Sequence, residues 1–356
     1  MKERKKWFTG MIMVGIGAMI LLGSQPAQGQ EKVFKWKLAS AYLTGQPLWK
    51  ETTVYFVEAV KRMSNNRLQI QAFPGGAVVP PMEIGGAVRK GTVQMGTYWP
   101  GWDMGVDPTT CILGGFAGGM NSELTFNWLY AEGGAELWTQ FRRERFEVHA
   151  MPCGFYGTET FLYSHKPINS LKDVQGMKIR CAGAWADILT KMGASTVTLP
   201  SGEVLPALER KVIDATELTT PGGDLPLGFH EVAKYVILPG AHQPSATFEL
   251  QVNLKAWEEL PADLKAIVES AAMNATLNSW VKHTSLDVPA IGKYKQRGNI
   301  VQYLPVEVQK KIYEVAWEWA DERAAKFPWL KKVWESQKKY ILARREFDKV
   351  MTLRYE

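Results

Sequence analysis

"FKWKLASAYLTGQPLWKETTVYFVEAVKRMSNNRLQIQAFPGG", residues 34–76, reads as strand, helix, strand. Phe34, Trp36 and Leu38 alternate with Lys35 and Lys37, the period of two expected of a half-buried strand. From 47 to 64 apolar residues recur at helical spacing, and "LQIQAF" alternates again before a Pro-Gly-Gly turn. A helix near 82–90 and a strand near 93–97 extend the order to βαβαβ. That order predicts a mostly parallel sheet covered by helices, with ligands bound beyond the carboxyl ends of its strands.

The second half repeats the style. "MKIRCAG" (177–183) reads as a strand running into a turn, "WADILTKMG" (185–193) as a helix closed by glycine, and 196–199 as a strand. A helix follows at 201–210, then "VIDATELTTP" (212–221), an apolar strand stopped by Pro221. From 254 onward three long stretches have helical period, and Pro289 is expected to end or kink the first. A chain of 356 residues exceeds what one core usually serves, so two lobes are expected. The predicted division is 1–29 leader, 30–153 first α/β lobe, 154–253 second α/β lobe, and 254–356 a helical region packing on both.

The leader is read from "MKERKK", the apolar run "GMIMVGIGAMILL" (10–22) and the small residues of "AQG" (27–29). This is the pattern of a secretory signal peptide cut between Gly29 and Gln30, so export to the periplasm is expected. Its apolar run falls short of the roughly 20 residues that span a bilayer. Lys2, Arg4, Lys5 and Lys6 against Glu3 account for half of the formal net charge of +6, and nucleic acid is not implied. Cys111, Cys153 and Cys181 form no disulfide framework; a Cys153–Cys181 pair is one reading, buried thiols the favoured one.

Enzyme signatures are absent: there is no GxSxG, P-loop, HExxH or GxGxxG, and the five histidines lack metal-ligand spacing. What stands out is polar residues on apolar strands. Glu217 ends "VIDATE", Arg180 ends "MKIR", and Glu159 lies in "GTETFLYS". Ionised groups are rarely buried without partners, and arginine's planar fork suits a carboxylate. Tyr98, Trp99 and Trp102 crowd into "TYWPGWDMG" after a strand end, where aromatics can wall a pocket. Plainer readings remain at this level: Arg180 paired with Asp214 or Glu217 inside one lobe, the tryptophans in a core, Glu159 facing solvent. A secreted two-lobed α/β binding protein fits best.

The stretches "PINSLKDVQGMKIRCAG", "LPSGEVLPALERKVIDATELTTPGGDLPLGFHEVAKYVILPG", "QVNLKAWEELPADLKAIVESA" and "GWDMGVDP" carry a resemblance to the solute-binding subunits of TRAP transporters, the DctP-like family. The likeness covers about 34–350. It is greatest to the branch that binds 2-oxo and 2-hydroxy monocarboxylates with a metal ion. The resemblance implies a two-lobed periplasmic binding protein fold with crossing strands, a long connecting helix and a helical C-terminal region. It implies Arg180 on the substrate carboxylate, Glu217 and the Leu218 carbonyl on the metal, and Glu159 where relatives carry Gln. Leu218 and Ala241 stand where Trp is usual, which implies a roomier pocket.

Glu159, Glu217, Arg180 and a monocarboxylate in one desolvated cleft would leave two negative charges uncompensated, so a carboxylate would protonate or a cation would bind. One divalent ion balances them and one sodium does not, so Ca²⁺ on oxygen ligands is expected, with Na⁺ the alternative. The implied partners are a small carboxylate and the membrane permease subunits of a TRAP transporter. A homodimer through the C-terminal helix is also implied, with Trp317, Trp319, Trp329 and Trp334 as anchors or else buried in a monomer core. The rival readings are a metal-free binder of a larger sugar-derived or aromatic acid, and a hydrolase or lyase using Glu159 and Glu217 as an acid–base pair. Asp214 is read as a structural turn or ion-pair residue.

Overall fold

Two mixed sheets organise the chain, for which a computed structural model describes residues 32–351. The signal peptide expected over 1–29 and its cleavage site lie outside the described residues. The strands are β1 (Phe34–Ser40), β2 (Leu68–Phe73), β3 (Met95–Tyr98), β4 (Val148–Tyr156), β5 (Leu162–Ser164), β6 (Lys178–Arg180), β7 (Ser195–Val197), β8 (Ala215–Thr216), β9 (Tyr235–Leu238), β10 (Ala246–Asn253) and β11 (Ile300–Tyr303). One sheet runs β2-β1-β3-β10-β4 and the other β11-β9-β5-β8-β6-β7.

The opening stretch folds as read, with β1 parallel to both β2 and β3. Its helix begins as a wide π-helical segment, Trp49–Val54, and continues as an α-helix, Tyr55–Met63, that buries Phe56, Ala59 and Val60. Asn65 and Asn66 then reverse the chain at positive φ, which asparagine tolerates better than most residues.

Each sheet keeps all but one of its strands in a common direction, the mostly parallel order expected, and takes in one antiparallel strand. β10, in the stretch assigned by sequence to the second lobe, runs antiparallel between β3 and β4 of the first sheet, and β5 is antiparallel to β8 and β9. The cause is connectivity: the chain leaves the first sheet after β4 and returns to it along β10, so the crossing strands point in opposite senses. A 35-residue helix, Ala262–Gln296, lies along β4 and leads into β11.

Pro289 does not end that helix. Beyond it Ala290 and Tyr294 are buried against the second sheet, and the Tyr294 hydroxyl meets that of Tyr163 at 2.8 Å. Tertiary burial there outweighs the loss of about 3 kcal/mol that an interior proline imposes. Two C-terminal helices, Val306–Ala324 and Pro328–Met351, touch both lobes: Trp317 donates to the Gly118 carbonyl at 2.9 Å and Trp319 to Asp187 at 2.9 Å. Trp319 and Trp334 are buried in the chain's own core, while Trp317 and Trp329 are partly buried against it. The three cysteines are buried free thiols.

A buried ion network underlies the first sheet. Arg142 donates to Glu249 of β10 at 2.5 and 3.0 Å and to Asp103 at 2.7 Å. Trp138 also donates to Glu249, at 2.8 Å. Arg142→Ala strands a buried carboxylate and should cost about 3–5 kcal/mol in chemical denaturation; a loss under about 1 kcal/mol would mean that Glu249 is neutral or reaches water.

Candidate functional site

The two crossing segments, 157–161 and 239–245, are held together by their backbones. Glu159 N–H donates to the Gln243 carbonyl at 3.1 Å, and Gly240 N–H donates to the Glu159 carbonyl at 2.8 Å. The approach is close enough that a Cβ on Gly240 would stand 2.4 Å from the Glu159 carbonyl oxygen. Only glycine fits there without moving one segment.

This pairing brings Glu159 and His242 together. His242 Nε2 lies 2.9 Å from Glu159 Oε2 and 4.0 Å from Glu217 Oε2, and the Tyr156 hydroxyl donates to Glu159 Oε1 at 2.5 Å. The same hydroxyl lies 3.4 Å from the Leu218 carbonyl, which places that oxygen beside the carboxylates. Ligating atoms of Glu159, Glu217 and His242 lie within 4.8 Å of one another, the one such group found among the described residues.

Arg180 and Glu217 arrive from the second sheet. β6 and β8 are parallel, with Arg180 opposite Thr216, so both strands end at the cleft. The strand expected over 212–221 is only Ala215–Thr216 long. Beyond Glu217 the chain bends away and is fixed by Thr219, whose hydroxyl donates to buried Asp224 at 2.7 Å. Asp214 has the structural part expected of it, accepting from the Lys178 N–H at 2.9 Å.

Arg180 Nε and Nη2 donate to the Leu199 carbonyl at 3.1 and 2.8 Å, and Nη1 to the Glu217 carbonyl at 2.8 Å. These contacts lock the guanidinium; Nη1 also donates to Glu217 Oε1, so of its five N–H groups one, on Nη2, has no protein partner. Glu217 Oε1 stands 3.4 Å from Nη1, so this ion pair, one of the plainer readings of the sequence, does form.

Burial dominates the protonation of the cluster. It pushes Glu159 up to about 8, against the Tyr156 hydrogen bond and the Arg180 charge, which both lower it. It pushes Glu217 up to about 6, with Arg180 opposing and Glu159 adding. It lowers His242 to about 4, so the imidazole is neutral near pH 7.

Trp99, Trp102, Trp185, Tyr42 and Phe248 wall the cavity above these groups. Tyr98, read from sequence as a wall, lies behind Trp102 with its ring stacked at 6.4 Å and its hydroxyl donated to Asp103 at 2.7 Å. Sequence reasoning missed His242, Trp185 and Tyr42 as pocket residues. The histidine stands in "PGAH", next to Ala241, but nothing local places it against Glu159. The cavity volume of about 80 Å³ is on the scale of a small organic acid.

A buried cleft between two sheets, floored by an arginine and paired carboxylates and crossed by two backbone segments, is the architecture of a two-lobed solute-binding protein. The model of the bacterial extracellular solute-binding proteins, family 7 (DctP), matches residues 39–326, and the chain belongs to this family. It is a binding protein and not an enzyme.

A monocarboxylate 2-oxoacid-binding periplasmic protein of Nostoc sp. is 27% identical over 90% of this chain and 88% of its own. A TRAP transporter solute-binding protein from Bordetella bronchiseptica, a dimer with copurified calcium and picolinate, superposes with a TM-score of 0.87 at 26% identity, covering 90% of this chain and 95% of that one. A TRAP periplasmic solute-binding protein from Pseudoalteromonas atlantica, with bound sodium and pyruvate, gives 0.85 at 29%, covering 90% and 97%.

The crossing segments and their charges are both open to test. Gly240→Ala should lower the melting temperature by several degrees, because the new methyl meets backbone; an unchanged melting curve would show that the segments slide freely. Glu159 and Glu217 bind protons more tightly folded than unfolded, so their contribution is full below about pH 4.5 and is lost as pH rises through about 6 and about 8. In EDTA, stability should therefore fall between pH 6.5 and 8.5, and Glu159→Gln should flatten that slope. An equal slope in the variant would place the titration elsewhere.

Proposed function

We propose that this protein captures a short 2-oxo or 2-hydroxy monocarboxylate in the cleft between its lobes and delivers it to the membrane permease of a TRAP transporter. The observation that carries this reading is the convergence of Arg180 with Glu159, Glu217 and the Leu218 carbonyl on one cavity of about 80 Å³. The guanidinium of Arg180, with one N–H on Nη2 free and the Nη1 contact to Glu217 Oε1 long at 3.4 Å, suits a ligand carboxylate. The oxygens of Glu159, Glu217 and Leu218 suit a hard cation that also meets the ligand's 2-oxygen. His242 has the place of an outer partner, holding Glu159 in orientation. A cavity of this size disfavours a sugar acid.

The raised proton affinity of Glu159 changes the charge argument. With that carboxyl protonated, the cleft holds Glu217 and Arg180 as a neutral pair, and a monocarboxylate adds a single negative charge. One sodium then balances the site with the proton kept, and one calcium balances it with the proton released. Sodium is thus compatible with the cleft near neutral pH, contrary to the sequence-level sum, and calcium gains as pH rises.

Titration calorimetry in buffers of different ionisation enthalpy tests this. Lactate and pyruvate should bind in the micromolar range or better with cation present, and at least about tenfold more weakly in EDTA. Calcium binding should release close to one proton at pH 7, and sodium binding none. Arg180→Lys should cost about 10- to 100-fold in affinity, since lysine lacks the planar fork of donors. Cation-independent binding with no proton release would remove the metal from the site, and unchanged affinity in the lysine variant would remove Arg180 from the carboxylate.

A further inference from the structure

Three ring atoms that line the cleft are buried without a partner in the protein: the Tyr42 hydroxyl, the Trp185 indole nitrogen and His242 Nδ1. Trp99 donates to the Gly114 carbonyl at 3.0 Å, and Tyr156 donates to Glu159. The Tyr42 hydroxyl and the Trp185 indole N–H are buried in side chains only 4% and 5% exposed, line the cavity, and find no partner in the protein. Buried donors are almost always satisfied, because an unmade hydrogen bond forfeits the solvation it replaced.

The two donors are carried by different parts of the fold. Trp185, at the start of the helix Ala184–Lys191, stacks on His242 at 5.1 Å and so lies beside the carboxylate cluster. Tyr42 follows β1 in the first lobe and packs edge-on against Phe248 at 5.5 Å. Phe248 in turn meets Tyr156 at 5.0 Å, so Tyr42 is one ring removed from the cluster. A ligand held at its carboxylate end by Arg180 therefore turns its other end towards Tyr42.

We propose that Tyr42 and Trp185 form a second polar anchor, and that the ligand is a short 2-oxo or 2-hydroxy acid carrying a further hydrogen-bond acceptor on its third carbon. This rests on the carboxylate-binding reading given above. In a cavity of about 80 Å³ the acid is short, and the acceptor is assigned to the carbon next to the second. An alkyl end would leave the Tyr42 hydroxyl buried against a methyl group.

Matched acids separate the two claims. With calcium present, glycerate and hydroxypyruvate should bind about 5- to 20-fold more tightly than lactate and pyruvate, which lack only the third-carbon hydroxyl. Tyr42→Phe should bring each pair within about twofold, with the loss concentrated in glycerate and hydroxypyruvate. Trp185→Phe, which keeps a ring against His242, should weaken glycerate. Without ligand, Tyr42→Phe should melt at the same temperature or higher, because it removes a hydroxyl with no partner. Lactate binding as tightly as glycerate, equal loss for both acids in Tyr42→Phe, or a lower melting temperature for that variant would each overturn the anchor alone. Failure of all four acids to bind would overturn the carboxylate reading with it.

Discussion

The backbone pairing of the two crossing segments is the constraint on which the rest of the molecule depends. Glu159 and Gly240 share a 2.8 Å hydrogen bond where the chain passes between the sheets, and Glu159 receives a second restraint from Gln243. Every buried polar group of the cleft is positioned relative to that pair. Glu159 and His242 sit on it directly, while Arg180 and Glu217 reach it from strand ends in the second lobe. Glycine at 240 is what permits the approach, so one small residue sets the spacing of the site.

That arrangement also explains how several ionisable groups are buried together. Isolated, any of them would be costly in a low-dielectric cleft. Here Arg180 is locked by two carbonyls and faces Glu217, and His242 is kept neutral. Glu159 holds its proton against Tyr156 and His242. The cleft is thus close to neutral before a ligand arrives. In the proposed function, ligand anion and sodium enter as a pair whose charges cancel, while with calcium the proton released from Glu159 closes the balance.

The first lobe contributes shape more than charge. Its buried network of Arg142, Glu249 and Asp103 lies outside the cavity, yet Asp103 belongs to the short helix Pro100–Gly105 that carries Trp102 to the wall. The C-terminal helices hold both lobes through Trp317 and Trp319. Opening of the cleft by hinge motion would therefore have to be absorbed by the crossing segments and by these contacts.

Local period and residue chemistry are the features that the sequence alone determined. The strands and helices of residues 34–76 were legible because alternation and helical spacing are properties of neighbours along the chain. Arg180 and Glu217 stood out because charged residues ending apolar strands need partners, and the two do pair with each other. Tertiary structure decided the rest. The antiparallel placement of β10, the continuation of a helix past Pro289 and the retreat of Tyr98 behind Trp102 all depend on partners far away in sequence. His242 entered the site for the same reason: its contact is with a residue 83 positions earlier. So did the unpartnered donors of Tyr42 and Trp185, since whether a hydrogen bond is made inside a protein is settled only when distant segments meet.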